Sequence, residues 1–220
     1  MKYIMHEYIF SYGSLVNTFS RNNSLRRSRV IPVMVHENFG YTRKWNTKSN
    51  KTHSCVLGLK KNEAKNTKIN GLLIRCTPTI KQQLELRETS YKKIQIVSEF
   101  IIPYNQNDSI PNNIIVHTFI PLKRQESISI KCNTSQSYID MVVLGFLEYG
   151  EKYAKMMYAT TQDWDSNMDT YAKWKSNIQK RIHEIYVTLH YFTKEYDMKD
   201  VNTYHSLRHY LNIHHKPLLE

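Results

Sequence analysis

Hydrophobic and polar positions change their rhythm about two-thirds of the way along this chain. Up to Pro121 the apolar residues fall in short runs rich in β-branched and aromatic side chains, bounded by Asn, Gly, Pro or Lys. Such runs predict strands, and six are indicated: Tyr3–Ser11, Arg29–Tyr41, Ser54–Lys60, Ile69–Cys76, Lys93–Phe100 and Ile114–Pro121. Asn70-Gly71 opens the apolar run Leu72-Leu73-Ile74, which suits a buried strand. One helix interrupts the series, over Pro78–Glu88: Thr77 can cap it, Pro78 fits its first turn, and Ile80, Leu84 and the stem of Arg87 recur at helical spacing. Beyond Pro121, Ile139, Val142, Val143, Phe146 and Leu147 recur three to four residues apart, as do Ile178, Ile182, Ile185 and Leu189. Helices are therefore predicted over Tyr138–Met157 and Ser176–Lys194. Pro103–Pro111, with Asn105, Asn107 and Asp108, reads as a surface loop. Strands first and helices after imply an α+β domain. Its expected extent is residues 1–200, with a helical extension from about residue 136 and a His-rich tail over 201–220.

Composition narrows the classes. A chain of 220 residues can bury a sizeable core as one domain. No run approaches the eighteen or so apolar residues of a membrane-crossing helix. Met1–Phe10 contains Lys2, His6 and Glu7 and lacks a small-residue cleavage site, so it reads as a first strand instead of a signal peptide. Cys55, Cys76 and Cys132 are odd in number and widely spaced. They are expected to be unpaired, buried thiols in a reducing, cytoplasmic setting. The net charge of +12 raises a nucleic-acid reading, with basic clusters over Arg21–Arg29 and Lys60–Lys68. No helix-turn-helix, zinc-finger or RNP-type motif accompanies them, so nucleic acid is not an expected partner. A basic surface can still draw anionic substrates toward a cleft. His205 and His209 stand four apart, with His214-His215 after them. No carboxylate or cysteine joins them at ligand spacing, and a polar tail is the reading taken, with no metal site. His6, His36, His53 and His117 fall in strand-like stretches and are expected to be structural.

Chemistry concentrates in two segments. In the first, Tyr8-Ile9-Phe10 runs through Ser11 into Tyr12-Gly13-Ser14-Leu15. A strand that stops at such a turn exposes successive backbone N–H groups, and glycine lets a ligand approach them, so the turn can hold a carboxylate or a developing oxyanion. The second, Leu84-Glu85-Leu86-Arg87-Glu88-Thr89-Ser90-Tyr91, lies where the helix gives way to a strand. Glu88 admits two readings: an exposed helix-end carboxylate paired with Arg87, or a partly desolvated general acid/base. Tyr12 and Tyr91 are either core aromatics with satisfied hydroxyls or pocket residues. Tyr138, beside Ser137 on a predicted helix, either packs or closes the pocket. Arg43 and Trp45 are rim or packing residues, with packing favoured.

Tyr-Gly-Ser-Leu followed by Arg-Glu-x-x-Tyr resembles the gamma-glutamylcyclotransferase-like superfamily, which includes the glutathione-specific ChaC branch. The similarity extends over about residues 3–165, through Asn17-x-x-Ser20-Arg21, through Val33-x-Val35 to Gly40-Tyr41-x-Arg43-x-Trp45-Asn46, Gly71-Leu72-Leu73, and Gln136 to Gly145. The resemblance implies a small closed or nearly closed β-barrel with flanking helices. It also implies that Glu88 is the catalytic base and that Tyr12, Gly13, Ser14, Leu15, Tyr91 and Tyr138 bind substrate. Glu85 matches a second acidic position only loosely, because Leu86 intervenes. The implied reaction uses the α-amino group of a γ-glutamyl compound as its own nucleophile on the γ-carbonyl, releasing 5-oxoproline and an amine, an amino acid or Cys-Gly. Such a cyclisation calls for one proton carrier and an anion-holding turn, with neither metal nor cofactor. The small γ-glutamyl substrate is then the expected partner, and the sequence does not fix the oligomeric state. A second class stays open: a catalytically silent binding module that keeps the pocket and meets an acidic partner through its basic surface.

Overall fold

In the computed structural model of the protein, which describes residues 5–49, 54–62, 67–122, 134–164 and 170–178, strand β1 (His6–Ser11) sits inside a six-stranded sheet. The other strands of that sheet are β2 (Val30–Val35), β5 (Ile69–Arg75), β6 (Tyr91–Ile96), β7 (Ile101–Pro103) and β8 (Ile114–Pro121), in the order β6-β8-β1-β5-β2-β7. β1 pairs antiparallel with β5, Ser11 facing Leu72, and parallel with β8, Tyr8 facing Val116. The parallel pairing carries β1 and β8 to the same end of the sheet, and there the chain turns into Tyr12-Gly13-Ser14-Leu15. A second sheet holds β4 (Cys55–Lys61), β3 (Tyr41–Lys48) and β9 (Thr161–Gln162).

The architecture is α+β, as expected, and its strands form two sheets. Among the described residues the outer strands β6, β7, β4 and β9 gain no further partner, so the barrel does not close. β4 meets the end of β8 by packing: a β-carbon on Gly58 would stand 2.6 Å from Pro121 Cγ. Proline has no N–H to extend a ladder there.

Helix α2 (Pro78–Arg87) follows the local rules of its sequence. The Thr77 hydroxyl accepts the Ile80 N–H at 3.3 Å, Pro78 occupies the first turn, and Ile80 and Leu84 are buried one turn apart. Three elements depart from expectation. Arg29–Tyr41 is β2 followed by a 3-10 turn over Glu37–Phe39, and β3 begins at Tyr41. α1 (Thr18–Ser24) is a short helix capped by Asn17, whose side chain accepts the Ser20 N–H at 2.9 Å. The long helix expected over Tyr138–Met157 is two, α3 (Gln136–Leu147) and α4 (Glu151–Thr160), parted at Gly150 with φ 104°. That backbone region favours glycine.

α3 is buried at every residue from Tyr138 to Phe146, a helix enclosed by the fold. Its apolar residues and those of α4 share one core with the strands. Helix α5, described over 171–178, places Trp174 in that core, where the indole N–H donates to Asp140 Oδ1 at 2.6 Å. The predicted helix beyond residue 178, the His-rich tail, His53 and Cys132 lie outside the described residues. Cys55 is fully buried and disulfide-bonded, which corrects the expectation of three unpaired thiols; Cys76 is free. An odd cysteine count leaves one over without forbidding a pair. No helix among the described residues is long and apolar enough to cross a membrane.

Candidate active site

At the end of β1 and β8 lies a cavity of about 270 Å³, close to the lower size of small-ligand sites. Tyr12, Gly13, Ser14, Leu15, Glu88, Tyr91 and Tyr138 all line it. Residues far apart in sequence and on four different elements thus meet in one place.

Glu88 is set by the end of α2. Its own φ of −93° and ψ of 36° leave the helix, while its N–H still donates to Leu84 O at 2.8 Å and its carbonyl accepts the Tyr91 N–H at 2.9 Å. The side chain is paired with Arg87, as the plain reading has it, but the pair faces the cavity instead of solvent. Arg87 Nε donates to Glu88 Oε1 at 2.9 Å, with the two side chains only 20% and 15% exposed. Arg87 Nη2 donates to Ser14 Oγ at 2.8 Å, and Nη1 donates to Ser24 Oγ. One guanidinium therefore ties the carboxylate to the turn and to α1. Glu88 Oε2 has no hydrogen-bond partner among the described residues. Glu85, by contrast, is exposed and does not line this cavity, so it is no partner to Glu88.

The turn is a 3-10 segment over Ser14–Val16, closed by the Val16 N–H on Gly13 O at 3.0 Å. That bond begins at Val16 and leaves the N–H groups of Ser14 and Leu15 outside the ladder. Gly13 has φ −131°, so the turn demands no left-handed backbone. Space is what the glycine supplies: a β-carbon there would sit 3.7 Å from Tyr138 Oη and 3.8 Å from Leu57 Cβ, and anything larger would enter the cavity.

Three tyrosines make the wall. Tyr12 donates to Phe119 O at 2.7 Å, and Tyr91 donates to Leu57 O at 3.1 Å. Burial holds the phenols of Tyr12 and Tyr91 well above the usual tyrosine range, and the Glu88 charge pushes the same way. Burial also raises Tyr138, to about 12, against the opposing pull of Arg87, Ser14 and the Leu57 backbone. All three are neutral at ordinary pH and serve as shape and hydrogen-bonding groups. Tyr138 is braced edge-on by Trp45, with ring centroids 5.9 Å apart.

Several supporting residues escape a reading of periodicity. Arg43 is fully buried: Nε donates to Thr161 Oγ1 at 2.8 Å, Nη1 to Asn70 O at 2.9 Å and Tyr12 O at 3.4 Å, and Nη2 to Asn70 Oδ1 and Thr160 Oγ1, both at 2.9 Å. It packs, as favoured, and it also fastens the residue before Gly13. Arg21 belongs to a predicted basic surface cluster, yet it is buried and donates to Leu15 O and Val16 O at 2.9 Å each. Asn23 lines the cavity, and its amide Nδ2 is buried with no hydrogen-bond partner among the described residues. The Asn17-x-x-Ser20-Arg21 spacing after the turn was the available signal for the Arg21 contacts, and Gly40-Tyr41-x-Arg43-x-Trp45 for those of Arg43.

Solved structures share this architecture. A gamma-glutamyl cyclotransferase superposes with a TM-score of 0.53 at 12% identity, the match covering 80% of this chain and 99% of that one. The chain has the gamma-glutamyl cyclotransferase fold. An uncharacterized human protein superposes with a TM-score of 0.53 at 13% identity, covering 76% of this chain and 95% of that one. No family model and no curated protein matches the sequence. In this fold the cavity of Glu88 opens where β1, β8 and the end of α2 converge.

Proposed function

We propose that this protein is a gamma-glutamyl cyclotransferase that releases 5-oxoproline from a small γ-glutamyl compound. The observation that carries the reading is the Glu88 carboxylate, held by Arg87 through Oε1 and without a partner at Oε2, on the wall of the cavity that the Tyr12–Leu15 turn completes.

The reaction follows from those positions. The substrate α-ammonium approaches Glu88 and gives it one proton. The freed amine attacks the γ-carbonyl carbon and forms the ring C–N bond, placing negative charge on the carbonyl oxygen. Collapse of that intermediate breaks the original amide C–N bond: the Glu88 carboxyl returns its proton to the departing amine, then takes the surplus proton from the ring nitrogen and passes it to the released amine, which leaves a neutral lactam. Backbone N–H groups of the turn hold the substrate carboxylate or the oxyanion, where preorganised donors are effective. Since nucleophile and electrophile share one molecule, the cavity selects a folded conformer and relays protons through one carboxylate. Tyr12, Tyr91 and Tyr138 wall that cavity.

The test is incubation with γ-glutamyl amino acids, γ-glutamyl amines and glutathione, with 5-oxoproline as the product measured. Its release from at least one class is expected. No release from any of them contradicts the assignment.

A further inference from the structure

Resting on the cyclotransferase reading, we infer that Lys48 reads a carboxylate on the leaving group, so that the substrates are γ-glutamyl amino acids or peptides in preference to γ-glutamyl amines.

Two cationic residues line the cavity among the described residues, Arg87 and Lys48. Arg87 is committed to Glu88, Ser14 and Ser24. Lys48 makes no ion pair among the described residues, although it lines the same cavity. It is exposed and closes β3, opposite Cys55 at the start of β4, whereas Glu88 is half-buried and Tyr12 and Leu15 of the turn are buried. A γ-glutamyl group bound there by its α-amino and α-carboxyl groups directs its γ-substituent outward, toward Lys48. The cavity holds one acidic side chain, Glu88, and that charge is answered by Arg87. An amine leaving group would bring a second positive charge, or none, toward an unanswered lysine. A leaving group ending in carboxylate brings the charge that answers it. The unpartnered amide of Asn23 is a further donor on the wall that an acceptor on the ligand can satisfy.

The test compares γ-glutamylalanine with γ-glutamylalaninamide, which differ only in that terminal charge. The parent protein is expected to favour the acid by about two- to fivefold in kcat/KM, the upper range of a solvent-exposed ion pair. The preference should shrink as salt is raised from about 0.05 to 0.5 M, because an exposed pair is screened. Lys48→Met should bring the ratio to about unity, and Lys48→Glu should invert it. Equal turnover of the two compounds by the parent, or a Lys48→Met protein that keeps the full preference, overturns the role of Lys48 while leaving the cyclotransferase assignment intact. Absence of 5-oxoproline from both compounds overturns the assignment and this inference together.

Discussion

At the residue scale, Gly13 and Arg87 separate shape from charge. The negative φ of Gly13 and the 3.7 Å clearance to Tyr138 mean that Gly13→Ala should fold and retain most activity. Gly13→Val puts two methyl groups into the cavity. Its KM for a γ-glutamyl substrate should rise at least tenfold, with thermal stability within a few degrees of the parent, checked by steady-state kinetics and a melting curve. Arg87 acts through others: it fixes Glu88 Oε1, Ser14 and Ser24 at once. Arg87→Met should therefore lower kcat by about ten- to a hundredfold, since a misplaced base costs that much without being removed. Arg87→Lys should recover only part of it, because an ammonium cannot reproduce a planar fork.

Elements differ in how openly their sequences announce them. α2 was legible from Thr77-Pro78 and the Ile80/Leu84 spacing, because its cap, first turn and buried face are all local. The position of Glu88 at the helix end was legible for the same reason, while its role came only from the Arg-Glu-x-x-Tyr resemblance. β3 was hidden. Its sequence, Tyr41-Thr42-Arg43-Lys44-Trp45-Asn46-Thr47-Lys48, reads as polar, yet Arg43, Asn46 and Thr47 are buried. Arg43 is admissible there only because Asn70, Thr160 and Thr161 supply acceptors, and no periodicity reveals partners 27 to 118 residues away. The closeness of α3 to the turn was equally invisible: a β-carbon on Gly145 would fall 2.4 Å from Asn17 N and 2.6 Å from its Cα. Gly145→Val must push α3 off the segment that follows Leu15. A loss of about 1–3 kcal/mol in urea unfolding is expected, together with a fall in kcat/KM in the protein that remains folded. An unchanged unfolding midpoint would show that the approach is not tight.

For the whole molecule, charge shapes both stability and the choice between functional classes. Glu7, on β1 away from the cavity, faces Lys81, Lys93 and His117 at 3.4, 3.6 and 3.2 Å. Burial alone would raise its pKa, but Lys81 and Lys93 outweigh burial and hold it below 4.5. A carboxyl depressed on folding stabilises the protein above its unfolded pKa, and that contribution is lost as pH falls through the folded value. Glu7→Gln should therefore destabilise the protein at pH 7, and the difference from the parent should narrow below about pH 4, as measured by urea midpoints at both pH values. The net charge of +12 is the remaining basis for a silent binding module. That alternative loses a continuous basic face over Arg21–Arg29, since Arg21 turns inward while Arg26, Arg27 and Arg29 stay exposed. Steeply salt-dependent retention on nucleic acid, with no 5-oxoproline formed, is the behaviour that class requires.

The most direct measurement is the turnover of a γ-glutamyl substrate by the parent and by Glu88→Gln, followed as 5-oxoproline. Glutamine preserves the size of the side chain and one acceptor for Arg87 while removing its capacity to carry a proton at neutral pH. A fall in kcat of about 10²- to 10⁴-fold is predicted, with KM little changed, because anchoring rests on the Tyr12–Leu15 turn. A Glu88→Gln protein that folds like the parent and still releases 5-oxoproline near the parental rate would contradict the account.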